Sequence, residues 1–235
     1  MDEEHPAKKD TSEWVILLHG LGRLRQSMRR LERHLNSLGY SVINLPYPST
    51  KKTIEAIAET DLARAVQSCE AQRAEKIHFV GHSLGGIIVR QYLQRHSMPP
   101  GSRLVMISPP NQGSELVDLL RQLPLYRWIT GPAGQEIGRG PESIVNRLKP
   151  VGLDVGVIAG NLSINLVISA FLDGPDDGVV SVKSTTLPEM RDFIIVNNSH
   201  TFIMRHPLVM RQVAHFLKHG RFDHSRTADL DRASV

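Results

Sequence analysis

Ser83 stands between Gly81 and Gly85 in the run HFVGHSLGGI, residues 78–87. A serine hydroxyl attacks a carbonyl well only when a base takes its proton and an acid orients that base. Further along, Asp173, Asp176 and Asp177 crowd the stretch LDGPDDGVV, and His200 and His206 lie in NNSHTFIMRHP. Serine, then carboxylate, then histidine is one chain order in which such a trio serves acyl transfer. The Gly-x-Ser-x-Gly pattern alone is weak, because chance supplies it in about one chain in ten of this composition. Its setting adds weight. The apolar run KIHFV ends at Gly81, and LGGIIVRQYLQR opens a helical pattern at Leu84. A serine on a sharp strand-to-helix turn takes a strained backbone conformation, and two positions to either side only hydrogen fits.

The elements that must position these residues follow a steady rhythm. WVILL (14–18), YSVINL (40–45), KIHFV (76–80), RLVMI (103–107), VGVIA (155–159) and DFIIV (192–196) are nearly continuous apolar runs. Strands covered on both faces read this way. Between them come helical stripes: Met28, Leu31, Leu35 and Leu38; Ile54, Ile57, Ala58, Leu62, Ala65 and Val66; Ile87, Ile88, Tyr92 and Leu93; Val209, Val213, Phe216 and Leu217. Strand–helix alternation predicts a parallel sheet with helices on both faces and reacting groups beyond the carboxyl ends of its strands. Ser83, the three aspartates and the two histidines all follow strands there.

The rhythm breaks at 111–150, where prolines, glycines and a cluster from Leu119 to Ile129 intervene. That stretch reads either as a crossover helix with a long loop or as a lid or pocket wall.

ILLHGLG, GHSLGG, PPNQGS, DDGVVS and NNSHT together resemble the α/β-hydrolase superfamily, and within it compact bacterial lipases and carboxylesterases, over about residues 14–217. The resemblance implies a minimal, mainly parallel six-stranded sheet without the antiparallel strands that open larger members. It implies Ser83 as nucleophile, Asp177 as acid and His200 as base, with the backbone N–H groups of Leu21 and Leu84 as oxyanion hole. It implies a serine esterase or lipase working through an acyl-enzyme, with no cofactor. Thioesterases, peptidases and acyltransferases would use the same trio, and a catalytically silent binding module of this fold is the rival from another class. Asp176 and Asp173 remain rivals to Asp177, as His206 does to His200; His82 reads as a packing or structurally bonded residue, and His19 as one that orders the loop around Leu21.

Composition bounds the rest. With 40% hydrophobic and 22% charged residues the 235-residue chain reads as one globular domain, with 1–13 and 219–235 as loose tails. No apolar stretch reaches the roughly 18 residues of a membrane span, so stable membrane insertion is not expected. The net charge is +4, but the basic residues are scattered and lack interleaved aromatics, so nucleic acid is not an expected partner. A small-molecule ester or lipid is. The 11 histidines show no ligand spacing, so no metal is expected. The single cysteine, Cys69, and the charged N-terminus without a secretory pattern point to the cytoplasm.

Overall fold

The computed structural model describes residues 12–164 and 166–226. Its elements run β1 (Glu13–Leu18), α1 (Arg29–Ser37), β2 (Ser41–Asn44), α2 (Ile54–Ala56), α3 (Ala63–Ala71), β3 (Lys76–His82), α4 (Leu84–Tyr92), β4 (Arg103–Ile107), α5 (Glu115–Leu120), α6 (Pro124–Gln135), β5 (Asp154–Gly160), α7 (Leu166–Ser169), α8 (Val182–Thr185), β6 (Asp192–Val196) and α9 (Pro207–His219). A π-helical segment, Ile57–Leu62, joins α2 to α3.

The six strands form one sheet in the order β2-β1-β3-β4-β5-β6, and every pairing is parallel. Period-two alternation sends successive apolar side chains to opposite faces. Val15, Leu17, Val80, Val105, Ile107 and Ile158 pack with Leu31 and Leu35 of α1 and with Val209, Val213 and Phe216 of α9. Ile16, Leu18, Phe79, Leu104, Met106 and Val157 pack on the other face against Ile54, Leu62, Val66, Ile87 and Ile88. Burying each such side chain contributes about 1.5–3 kcal/mol, so both faces hold the sheet.

After β2 the chain crosses back over β1 to place β3 on its far side. Connections from β1 and β3 therefore leave in opposite directions, and a crevice opens between their carboxyl ends. Trp14 pairs with Ile77 and Leu18 with Gly81, so both strands end level at that crevice.

Two expectations need correction at the ends. Glu13 belongs to β1 and bonds Lys76. Beyond α9 the chain stays docked: Gly220 takes φ 70° as the helix cap, Phe222 is buried with its ring 4.9 Å from that of Phe216, and Asp223 and Gln212 exchange two hydrogen bonds. Residues 1–11 and 227–235, the remainder of the expected tails, lie outside the described residues. The strand expected over 40–45 is shorter, because Tyr40 N–H still bonds Leu35 at the end of α1.

Candidate active site

The turn from β3 into α4 carries Ser83 at φ 53° and ψ −122°, a region that residues with side chains rarely enter. Its N–H donates to Ile107 O at 2.8 Å and its carbonyl accepts from Gly86 N–H at 3.0 Å, so neighbouring structure holds the strain. The flanking glycines answer to close backbone. A Cβ on Gly81 would lie 2.4 Å from Gly86 N, and one on Gly85 would lie 2.6 Å from Leu18 O at the end of β1. Ser83 is thereby pressed beside the β1 loop, where a Cβ on Gly20 would meet the Cβ of Ser83 at 3.3 Å.

That loop is itself pinned. His19 Nδ1–H donates to Gly20 O at 2.9 Å, and its ring stacks on Tyr47 at 4.0 Å and 5°. The buried Tyr47 hydroxyl donates to His19 O, and Ser49 Oγ accepts from Gly22 N–H at 3.1 Å. Burial pushes the His19 pKa down, which favours the neutral ring. Leu84 is the first residue of α4, so its N–H has no acceptor within the helix.

From the far side of the sheet, the loop after β6 brings in His200. Its Nδ1 bonds Asp177 Oδ2 at 2.8 Å, and its backbone N–H donates to Asp177 O at 2.9 Å. The other carboxylate oxygen, Oδ1, accepts N–H groups from Val179 at 3.1 Å and Val180 at 2.9 Å. Asp177, 1% exposed, thus has both oxygens bonded although it lies away from water. Gly160 makes this approach possible: a Cβ there would lie 2.5 Å from Asn198 O and 2.8 Å from the Cβ of Asp177.

Ser83 and His200 line one cavity of about 250 Å³ with Gly20, Leu21, Val117 and Tyr126. Leu116, Thr130 and Ile137 also line it, so the excursion at 111–150 forms a wall of this cavity. α6 bends there at Gly131, which takes φ 62° and packs where a Cβ would lie 1.7 Å from Thr50 O. The PPNQGS loop is fixed from behind: Asn111 donates to Thr185 O at 2.7 Å and accepts from the buried Arg90 at 3.2 Å.

A family profile described as alpha/beta hydrolase fold matches residues 13–129. Among solved structures, the chain is similar to the mature lipase of Bacillus licheniformis at TM-score 0.75 and 19% identity, covering 92% of this chain and 96% of that one. It covers 48% of the same lipase in its propeptide form. An esterase of Pyrococcus furiosus matches at TM-score 0.61 and 19% identity, over 88% and 83% of the two chains. A thioesterase of the prodiginine pathway in Streptomyces coelicolor matches at 0.59 and 15%, over 93% and 91%. No curated relative matches the sequence. This chain is an α/β-hydrolase-fold protein.

Within this α/β-hydrolase fold the rival residues have other partners or positions. Asp176 accepts from Gly178 N–H at 2.7 Å and from the Ser169 hydroxyl at 2.6 Å, which is turn chemistry. Asp173 is an exposed partner of Lys183. His206 precedes Pro207 as the N-cap residue of α9. His82 turns its ring towards the far loop, and its Nε2–H donates to His200 O at 3.1 Å.

Several contributors carry little signal in sequence. Tyr47 and Gly160 sit outside any recognisable motif, although a glycine closing a strand is a mild cue for close approach. Arg23 follows HGLG and lines the cavity. A larger cavity, about 580 Å³, lies near Glu13 between α1 and α9, at the amino end of β1 and away from Ser83. The chemistry-bearing residues identify the smaller one. No helix among the described residues is long and apolar enough to cross a membrane.

Proposed function

We propose that this protein is a serine hydrolase of carboxylic esters, with Ser83 as nucleophile, His200 as general base and Asp177 as the orienting acid. The observation that carries this reading is that His200, bonded through Nδ1 to a carboxylate, lines the same cavity as a serine on a strained strand-to-helix turn.

The imidazole takes the Ser83 proton at Nε2 as Oγ attacks the acyl carbonyl. Asp177 keeps the other ring proton on Nδ1 and stabilises the imidazolium. Negative charge on the carbonyl oxygen is met by the N–H groups of Leu21 and Leu84, each worth about 3 kcal/mol in comparable sites. His200 then protonates the departing alcohol. Water, deprotonated by the same base, hydrolyses the acyl-enzyme and restores Ser83. The residues suffice for this cycle without a cofactor. The single buried Cys69, its thiol pushed up to about 12 by burial, accords with a reducing compartment such as the cytoplasm.

The cavity is slightly smaller than the roughly 300 Å³ lower bound for drug-sized ligands, and apolar side chains dominate its lining. Short or medium acyl chains fit that size. The test is fluorophosphonate labelling together with an ester series. Wild type labels, Ser83→Ala does not, and hydrolysis peaks on short or medium esters. A profile dominated by thioesters or amides would replace the ester assignment, and a wild type that never labels would leave a silent binding module.

A further inference from the structure

Among the described residues, one cation in the candidate cavity has no counterion. Arg23 lines the cavity with Ser83, His200, Leu21 and Thr201, and no acidic side chain among the described residues lines it. Some cations of the chain are matched, as Lys52 is with Asp61 and Arg139 with Glu115, whereas Arg25 and Arg205, the neighbours of Arg23, have no ion pair among the described residues. Among the described residues the Arg23 guanidinium has neither an ion pair nor a hydrogen bond. Its backbone is fixed, since its N–H donates to Gly20 O at 3.2 Å and closes the turn through Gly22 at φ 64°.

Surroundings make the unpaired charge costly. Burial, followed by repulsion from Arg205, pushes the Arg23 pKa down, although an arginine stays charged at any working pH. Arg205 closes the 3-10 turn Ile203–Arg205, which packs on the turn Arg25–Met28 just after Arg23. The two guanidiniums are therefore close enough to repel, and of the two only Arg23 lines the cavity with the nucleophile. A half-buried arginine in this state gains from an oxyanion supplied from outside, which its planar fork binds through two parallel N–H···O bonds.

We propose that Arg23 is a substrate-binding residue that selects esters bearing an anionic group, a carboxylate or a phosphate, within reach of the scissile carbonyl. This rests on the serine-hydrolase reading and narrows its substrate class. The anion could sit on the acyl or the alcohol portion, and two substrate pairs separate these cases. One compares 4-nitrophenyl pentanoate with the mono-4-nitrophenyl ester of glutarate. The other compares 1-butyrylglycerol with its 3-phosphate.

For wild type, at least one anionic ester is expected to have a kcat/KM about tenfold above its neutral partner. Arg23→Gln lowers that ratio about tenfold, and Arg23→Lys, which keeps the charge but loses the fork, recovers part of it. The inference is overturned if neither anionic ester is preferred by wild type, or if Arg23→Gln leaves the ratio where it was. Fluorophosphonate labelling of Ser83 is read in parallel. Labelled protein without an anionic preference defeats this inference alone, whereas unlabelled wild type removes the hydrolase reading and this one with it.

Discussion

His82 and His200 lie with ring centroids 4.8 Å apart, and the Nε2–H of His82 holds the backbone carbonyl of His200 at 3.1 Å. A residue adjacent to the nucleophile thus braces the base that is proposed to activate it. Burial, then the neighbouring His200, push the His82 pKa well down, so its ring stays neutral and keeps a proton for this bond. Replacing His82 with Phe keeps a ring but removes the donor. We expect kcat/KM on a neutral ester to fall about tenfold, the worth of one or so kcal/mol of hydrogen bonding. Retention of full activity would show that packing alone positions His200.

Asp177→Asn preserves shape and can still accept from Val179 and Val180 N–H through its amide oxygen. Its NH2 then faces His200 Nδ1 and favours the wrong tautomer. The expected loss in kcat is about 10⁴-fold, with the urea midpoint little changed. Asp176→Asn, by contrast, touches a turn, and activity should stay within about threefold. A larger loss from Asp176 than from Asp177 would reverse the assignment of the acid.

Gly85→Ala puts a methyl 2.6 Å from Leu18 O and 2.9 Å from His19 O, and these backbone oxygens at the end of β1 cannot swing aside. Destabilisation of roughly 3 kcal/mol and loss of fluorophosphonate labelling are expected. Gly86→Ala meets only the Met106 side chain at 2.6 Å, which can swing aside, so its cost should be smaller. Denaturant unfolding of the two variants ranks them.

His78 provides a pH dependence of stability. It is fully buried, accepts from Arg103 N–H on Nδ1 at 3.1 Å and has Nε2 3.5 Å from Glu13; Lys76 and Tyr40 also face it. Burial lowers its pKa to about 4, from 6.5 in the unfolded chain. Between these values the unfolded chain binds the extra proton. The contribution is therefore complete above pH 6.5 and is lost as pH falls towards 4, on the order of 2–3 kcal/mol. His78→Asn, which keeps the acceptor, should flatten the urea midpoint between pH 7 and 4.5. An unchanged slope would assign the acid sensitivity elsewhere.

Val117→Trp tests the cavity wall. The added bulk enters a space of about 250 Å³ shared with Ser83. Rates on 4-nitrophenyl octanoate should fall at least tenfold more than rates on the acetate. An equal fall on both esters would mean that acyl chains lie elsewhere.

The sequence by itself determined the six strands within a residue or two, the parallel alternation and the glycine-flanked serine, because those features are local. Continuous apolar runs mark strands buried on both sides, and a sharp turn leaves its imprint on neighbours two residues away. The excursion at 111–150 was ambiguous, since periodicity identifies helices but not what they cover. Only the tertiary structure made it a wall of the cavity. Which aspartate bonds His200 was likewise decided in three dimensions. Asp173, Asp176 and Asp177 are chemically alike and nearly adjacent, and their separation depends on Gly160 admitting one loop against another. Arg23, Tyr47 and His82 belong to the same lesson. Their partners are 28 to 118 residues away or, for Arg23, absent among the described residues, and no spacing rule along a chain encodes such meetings.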